Sequence, residues 1–201
     1  MDRRGIARAG VLKAAALAVG AASVTPAGAR VDRAAFDLVN AERGPAVDAF
    51  FTGITEMGSI MASSAAAAAL FLSGRRRAGA EGIAAAGVMW LVGQALKQGF
   101  RRPRPYHAGG SRRLIEKPKG TSWPSSHPAV LMAFTTVAGR RLGLSTGARR
   151  GLAALAVTVG VSRVQVGVHY PADVVGGLLL GRAVADAWTS LVPAPEPGRI
   201  E

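Results

Sequence analysis

The sequence predicts an all-α integral membrane protein, a helical bundle with five or six transmembrane helices. Of the 201 residues, 49% are hydrophobic and 18% are charged, whereas about a quarter of the residues in typical soluble domains are charged. Long apolar runs also alternate along the chain with clusters of arginine. This composition excludes a disordered chain and disfavours a polar soluble protein, and the length fits one domain.

The chain has a net charge of +13, because it contains 25 Lys and Arg residues against 12 Asp and Glu residues. Such a charge implies an anionic partner: nucleic acid, membrane lipid or a phosphorylated substrate. Nucleic acid is not expected, because aromatic residues make up 5% of the chain and the arginines cluster at the ends of apolar runs. The absence of cysteine excludes disulfides, thiolate metal sites and a cysteine nucleophile.

Residues 1–29 have the features of a secretory signal peptide or of an uncleaved N-terminal anchor helix. A basic start and an apolar stretch over 14–24 precede the small residues Ala27-Gly28-Ala29. The next part of the chain, 31–51, predicts amphipathic helices that lie along an interface and are broken near Gly44-Pro45.

Five apolar segments follow, and we predict that each is helical: 57–73, 82–96, 128–139, 151–168 and 172–192. Several are shorter than the roughly 17–25 residues that span a bilayer, so buried helices of a soluble bundle are the alternative. Arg182 and Asp186 lie inside the last segment, and their i, i+4 spacing allows them to pair. We assign 30–192 to one membrane domain and 193–201 to a polar C-terminal tail.

The positions of the arginines favour the membrane interpretation. If the segments alternate in direction, Arg75–Arg77 and the loop 140–150 fall on the same side, as the positive-inside rule requires of cytoplasmic loops. The loop 97–119 falls on the other side and is nevertheless strongly basic. Its charge therefore needs a reason other than topology, and we expect it to serve a binding site that opens on the extracytoplasmic side.

The first candidate binding group is Lys97 and Arg104, which follow the segment 82–96. Pro103 and Pro105 stiffen the chain beyond the helix end, so the two cations can converge on one anion. Arginine offers phosphate oxygens a planar bidentate fork, and lysine offers a point charge. Taken alone, the group is more typical of a lipid-headgroup patch than of a catalytic site. His107 lies in the same loop, and we expect it to be a solvated residue without a role.

The second group is Ser125-Ser126-His127, directly before the segment 128–139. A serine at a helix start is an ordinary N-cap, and this alternative accounts for either serine. It does not account for His127. A helix N-terminus presents free amides to an anion, and a histidine there can donate a proton to a leaving oxygen.

The third group is Arg163, His169 and Asp173. Pro171 suits the first turn of a helix, so Asp173 can reach back to one nitrogen of the His169 ring. Such a contact fixes the tautomer and leaves the other nitrogen free to attack. For this pair alone, a purely structural His–Asp contact is the alternative.

Together, Lys-x6-Arg-Pro, Pro-Ser-Ser-His and Ser-Arg-x5-His-x3-Asp resemble the tripartite signature of the type-2 phosphatidic acid phosphatase family, whose site architecture is shared with vanadium haloperoxidases. The resemblance covers roughly 31–192, and Ser126 stands where the family usually has Gly. It implies that His169 attacks phosphorus and forms a phosphohistidine, that Asp173 orients His169, and that His127 protonates the leaving oxygen. It also implies a set of phosphate-binding residues: Lys97, Arg104, Ser125, Ser126 and Arg163.

We therefore expect a membrane phosphatase, with a phosphatase/haloperoxidase-type core, that hydrolyses a phosphomonoester or diphosphate of a lipid. Candidate substrates are polyprenyl diphosphates, phosphatidate and phosphatidylglycerophosphate. Phosphoryl transfer needs mainly positioning and charge stabilisation, which three cations can supply. No acidic cluster for magnesium lies beside the motifs, so we expect no metal and no other cofactor. The alternatives are a vanadate-dependent haloperoxidase-like enzyme and a basic membrane or nucleic-acid binding protein without catalysis.

Overall fold

A computed structural model describes residues 2–193. These residues contain no strand, so the all-α prediction is confirmed. The α-helices are α1 (Arg3–Ser23), α2 (Pro26–Val39), α3 (Pro45–Ile54), α4 (Ile60–Leu72), α5 (Arg76–Phe100), α6 (Ser126–Arg141), α7 (Thr146–Gln165) and α8 (Pro171–Leu191). Two short 3-10 helices, Thr55–Gly58 and Pro105–His107, follow α3 and α5.

Local sequence signals account for many of the helix starts. Pro26, Pro45 and Pro171 occupy the first turns of α2, α3 and α8, where the missing N–H group costs nothing and the fixed φ suits a helix. Ser59 and Ser145 cap α4 and α7, because each hydroxyl accepts a hydrogen bond from a backbone amide of the first turn. The five predicted apolar segments correspond to α4–α8, and the predicted break near Gly44-Pro45 separates α2 from α3.

The expected number of five or six transmembrane helices is not confirmed. Three helical stretches are long and apolar enough to cross a membrane: Arg3–Ser23, Arg76–His107 and Pro171–Leu191. A fourth span is possible if α3 and α4 act together, since Pro45–Gly58 and Ile60–Leu72 meet at a 64° bend. The shortfall arises because α6 has 16 residues and α7 contains three arginines.

α6 is the central helix of the bundle. All of its residues from Pro128 to Gly139 except Thr136 are buried, and the helix packs against α5, α7 and α8. Ala133 shares an apolar cluster with Met89 of α5 and Leu180 of α8. Burial on several sides explains why this segment is hydrophobic around its whole circumference.

Glycines bring the start of α6 close to α8. A Cβ atom added to Gly177 would lie 2.4 Å from the carbonyl oxygen of Ser125, and one added to Gly181 would lie 2.3 Å from that of Ala129. Both distances are shorter than any real Cβ contact, so any side chain larger than hydrogen would force the helices apart. This close approach sets the beginning of α6 beside the beginning of α8.

The N-terminal helix α1 packs along α8. Gly5 faces Ser190, and the backbone amide of Asp2 donates to the Ser190 carbonyl oxygen at 3.3 Å. Whether residues 1–29 form a cleaved signal peptide or a retained anchor stays a prediction, as does the boundary of the 30–192 domain. The predicted polar tail lies outside the described residues except for Pro193.

Candidate active site

The predicted site residues come from four helix ends that meet at one end of the bundle. Lys97 lies in the last turn of α5, His127 in the first turn of α6, Arg163 in the last turn of α7, and His169 in the turn before α8. Arg163, His169, Lys97 and Arg104 all lie close enough to His127 to interact electrostatically with its ring. The structure therefore brings the three sequence motifs together.

His169 and Asp173 form the contact that their spacing predicts. The Nδ1 atom of His169 lies 3.3 Å from Oδ2 of Asp173, and the two side chains are 2% and 0% exposed. Asp173 Oδ2 also accepts hydrogen bonds from the backbone amide of Tyr170 at 2.8 Å and from the Ser122 hydroxyl. The carboxylate is thus fixed on several sides, which in turn fixes the plane of the imidazole.

The second ring nitrogen of His169 faces a cation. Nη1 of Arg104 lies 3.1 Å from Nε2 of His169. Because arginine only donates hydrogen bonds, Nε2 must accept here and carries the lone pair, whereas Nδ1–H points at Asp173. Burial, reinforced by Arg104, Arg163 and Lys97, lowers the pKa of His169 well below its ordinary value. The ring is therefore neutral at pH 7, and the lone pair that a nucleophilic histidine needs lies on Nε2, the nitrogen that faces Arg104.

Backbone carbonyl groups fix the orientation of the Arg104 side chain. Its guanidinium donates to the carbonyl oxygens of Gly120 at 3.0 Å, Val168 at 3.1 Å and Lys119 at 3.3 Å. Arg104 is 2% exposed. These bonds orient the fork toward the ring of His169, so Arg104 acts as a fixed cation and not as a solvated loop residue.

Three buried polar groups at the site have no partner within the described residues: Ser125 Oγ, Ser126 Oγ and Arg163 Nε. An unsatisfied buried donor or acceptor costs about 1–3 kcal/mol, so these groups are suited to bind a polar ligand. Arg163 is oriented through its Nη1, which donates to Thr55 Oγ1 at 2.9 Å. Ser125 is the residue before α6, but its hydroxyl makes no capping bond. The interpretation of this serine as an ordinary N-cap is therefore wrong.

Lys97 and His127 lie at the edges of the site. Lys97 is half-buried and lines a cavity of about 620 Å³ together with Gln98 and Thr121. His127 is also half-buried, and Gly58 lies against it, since an added Cβ atom would lie 2.7 Å from the His127 Cβ. Within residues 2–193, no protein group forms a hydrogen bond with the His127 ring, which leaves it free for a ligand.

Arg102 is not among the residues that the sequence motifs predict, yet it is nearly as deeply buried as Arg104 and His169. Its Nη1 donates to Asp173 Oδ1 and its Nη2 donates to Asp32 Oδ2, both at 2.6 Å. The guanidinium also lies 4.4 Å from the centroid of the Tyr170 ring. Arg102 thus compensates the carboxylate that orients His169. Its place two residues before Arg104 in a proline-rich stretch is the one signal that would have singled it out.

Asp32 was missed as well, because nothing in the amphipathic pattern of α2 distinguishes it. It is 7% exposed, and its Oδ1 accepts a hydrogen bond from the backbone amide of Ala172 at 2.9 Å. Burial raises the pKa of Asp32, although its hydrogen bonds to Arg102 and Ala172 oppose that shift. Asp32 therefore ties α2 to the first turn of α8, next to the site.

No group of three or more His, Asp or Glu side chains within residues 2–193 is placed to hold a metal ion. His107, which sequence analysis left without a role, lies in a 3-10 turn outside the buried site, with its ring packed against Tyr106.

Comparison with known proteins agrees with this geometry. Residues 79–196 match the sequence model of the PAP2 superfamily. The chain is 33% identical over 116 residues to a decaprenylphosphoryl-5-phosphoribose phosphatase of Mycobacterium tuberculosis, a match that covers 58% of this chain and 62% of that relative. The chain thus spans less than two thirds of the length of this curated relative.

Two solved structures share the fold. One is a transmembrane PAP2 type phosphatidylglycerolphosphate phosphatase from Bacillus subtilis, with a TM-score of 0.75 at 25% identity over 92% of this chain and 95% of that chain. The other is LpxE of Aquifex aeolicus, with a TM-score of 0.70 at 28% identity over 77% of this chain and 92% of that chain. With its own candidate spans, this likeness identifies a multi-pass membrane protein.

Proposed function

This chain belongs to the PAP2 superfamily, and from that membership and its site we propose that it hydrolyses a phosphomonoester or diphosphate of a lipid. The observation that carries the proposal is the state of His169. Its Nδ1 faces Asp173 at 3.3 Å, and its Nε2 faces Arg104. A neutral, oriented imidazole beside a fixed cation is what attack on a phosphate requires.

In the proposed reaction, the lone pair of His169 Nε2 forms a bond to phosphorus while the bond from phosphorus to the leaving oxygen breaks. Burial and the neighbouring cations lower the pKa of His127 in the free protein, so His127 takes up a proton as the phosphate anion binds and offsets those cations. It then donates this proton to that oxygen, which leaves as the alcohol of the lipid or, from a diphosphate, as the lipid monophosphate. Asp173 stabilises the positive charge that develops on His169. A water molecule then attacks the phosphohistidine, His127 takes its proton, and inorganic phosphate leaves.

The negative charge on the phosphoryl oxygens would be stabilised by side chains whose hydrogen-bond donors have no partner within residues 2–193. Arg163 has a free Nε, and Ser125 and Ser126 have free hydroxyls. Arg104 and Lys97 add two cations, and the first amides of α6 point to the same end of the bundle. Donors that are already in place need no reorganisation when the charge develops, and this favours the transition state.

We propose further that the site opens on the extracytoplasmic side. The start of α5 at Arg75–Arg77 and the segment 140–150 lie at the bundle end opposite to His169, because α5, α6 and α7 each run between the two ends. The positive-inside rule places those arginines in the cytoplasm. Substrates of the relatives named above, together with polyprenyl diphosphates and phosphatidate, are the first candidates to test.

The test is to trap the phosphorylated protein with labelled substrate. We expect His169→Ala to abolish both turnover and the acid-labile phosphoprotein while the protein still folds, since Asp173 keeps its hydrogen bonds from Arg102, Ser122 and Tyr170. His107→Ala is the matched control, because this third histidine lies outside the buried site. A folded His169→Ala protein that still turns over substrate would contradict the proposal, and halide oxidation with vanadate and peroxide would favour the haloperoxidase alternative.

A further inference from the structure

A second concave site lies at the end of the bundle opposite to His169. It is a cavity of about 370 Å³ where α6 ends and α7 begins, bordered by α1 and α8. From Ser126 to Arg140, α6 advances 14 residues, or about 21 Å at 1.5 Å per residue, so this cavity is separate from the active site. Five of its eight lining residues are arginines: Arg8, Arg140, Arg149, Arg150 and Arg182.

A buried carboxylate organises one side of this arginine pocket. Asp186 is fully buried, and the pairing with Arg182 that the sequence predicts is confirmed, with Nε of Arg182 3.1 Å from Oδ1. Two further arginines bind the same carboxylate: Arg140 Nη2 lies 2.5 Å from Oδ1 and Arg8 Nε lies 2.7 Å from Oδ2. Helices α1, α6 and α8 thus each present one guanidinium to the pocket in a fixed orientation.

The charge of the pocket is not balanced by the described residues. Five arginines against the single carboxylate of Asp186 give a net charge of +4 (5 − 1). Arg149 and Arg150 are exposed and form no ion pair within residues 2–193. Crowding like charges into one concavity is unfavourable unless an anion enters it. The hydroxyls of Thr136 and Thr146 also line the cavity and can donate to such an anion.

We propose that the arginine pocket binds a phosphate group, presented either by an anionic lipid headgroup or as a free ion. Arginine forks bind phosphate oxygens in a bidentate manner, and the cavity is large enough for a headgroup phosphate. By the positive-inside rule the pocket faces the cytoplasmic leaflet, where anionic lipids concentrate. It is therefore a binding site additional to the catalytic one and does not depend on the proposed phosphatase activity.

A general basic surface does not account for these observations. Arg75 and Arg76 form a cluster on the same predicted side of the membrane, but they are exposed at the start of α5 and line none of the cavities described above. They provide the matched comparison, because they carry the same charge without the concavity or the buried carboxylate. An anion that binds through charge alone would contact the two arginine clusters equally. An anion that binds in the pocket would contact Arg149 and Arg150 but not Arg75 and Arg76.

The test is residue-resolved protection from an arginine-specific reagent. The purified full-length protein is treated in detergent with phenylglyoxal, with or without phosphatidylglycerol or inorganic phosphate, and modification is mapped by mass spectrometry. We expect protection at Arg149 and Arg150 of about fivefold, which corresponds to one favourable arginine–phosphate contact, with little protection at Arg75 and Arg76. Protection by phosphatidylglycerol alone assigns the pocket to a lipid headgroup, and protection by inorganic phosphate assigns it to the free ion.

Two variants complete the experiment. Native mass spectrometry should show weaker retention of phosphatidylglycerol by the double variant Arg149→Gln/Arg150→Gln than by Arg75→Gln/Arg76→Gln. Both pairs are exposed, so folding is preserved in each. Equal protection of the two clusters, or equal loss of lipid in the two double variants, would overturn the proposal.

Discussion

Arg102 offers a sharp test of how the site is held. It is 5% exposed and binds the carboxylates of Asp32 and Asp173, which are 7% and 0% exposed. Arg102→Gln would leave two buried carboxylates without their cation. Breaking a buried ion pair from one side costs about 3–5 kcal/mol, which corresponds to a fall in the melting temperature of roughly 6–20 °C for a domain of this size.

The same change should slow catalysis. Asp173 would lose the hydrogen bond that Arg102 donates to its Oδ1. The carboxylate could then move, and it would orient the His169 ring less firmly. Outer-shell partners that orient the histidine ligands of metals contribute about 10- to 100-fold in activity, and Arg102 orients His169 through Asp173 in the same way, so we expect kcat to fall by that order with a smaller change in KM. Thermal unfolding in detergent and steady-state kinetics on the same preparations measure both effects.

Two further variants separate orientation from stability. Asp32→Asn keeps the pair between Arg102 and Asp173, so it should lower the melting temperature while leaving kcat near that of the wild type. Arg113→Gln removes the same charge from an exposed position of the same loop and should change neither. A folded Arg102→Gln protein with normal kcat and a normal melting temperature would refute this account of Asp173.

Ser126→Ala should weaken inhibition by vanadate by about 10- to 150-fold, because a hydrogen bond to a charged group contributes about 1.5–3 kcal/mol. Unchanged inhibition would leave only the backbone amide as the donor at this position. The lowered pKa of His169 means that its ring stays neutral as the pH falls through the ordinary pKa of histidine. The acid limb of kcat/KM should therefore lie below pH 6.5. A fall in kcat/KM already at neutral pH would contradict this prediction. Finally, in a chain without cysteine, a cysteine in place of Ala108 should react with a membrane-impermeant thiol reagent in intact cells, and reaction only after permeabilisation would reverse the proposed topology.

Much of the fold and most of the site could be predicted from the sequence. The apolar runs, the prolines at helix starts and the capping serines act over a few residues, so α4–α8 and the break before α3 are visible in the sequence. Lys97, His127 and Arg163 could be identified because each lies at a helix end within a short motif. Even the pairing of Arg182 with Asp186 follows from one turn of helix.

The tertiary structure decided what depends on contacts between distant parts of the chain. Arg102 meets Asp173 and Asp32 across 71 and 70 positions, and Arg8 reaches Asp186 across 178. No periodicity encodes such pairs, because they depend on which faces of α1, α2 and α8 pack together. The close approach of α8 to the backbone of α6 at Ser125, which Gly177 permits, is likewise a contact between distant parts of the chain. Local hydrogen bonding and hydrophobic period determine where helices form, whereas packing determines which buried charges share a site.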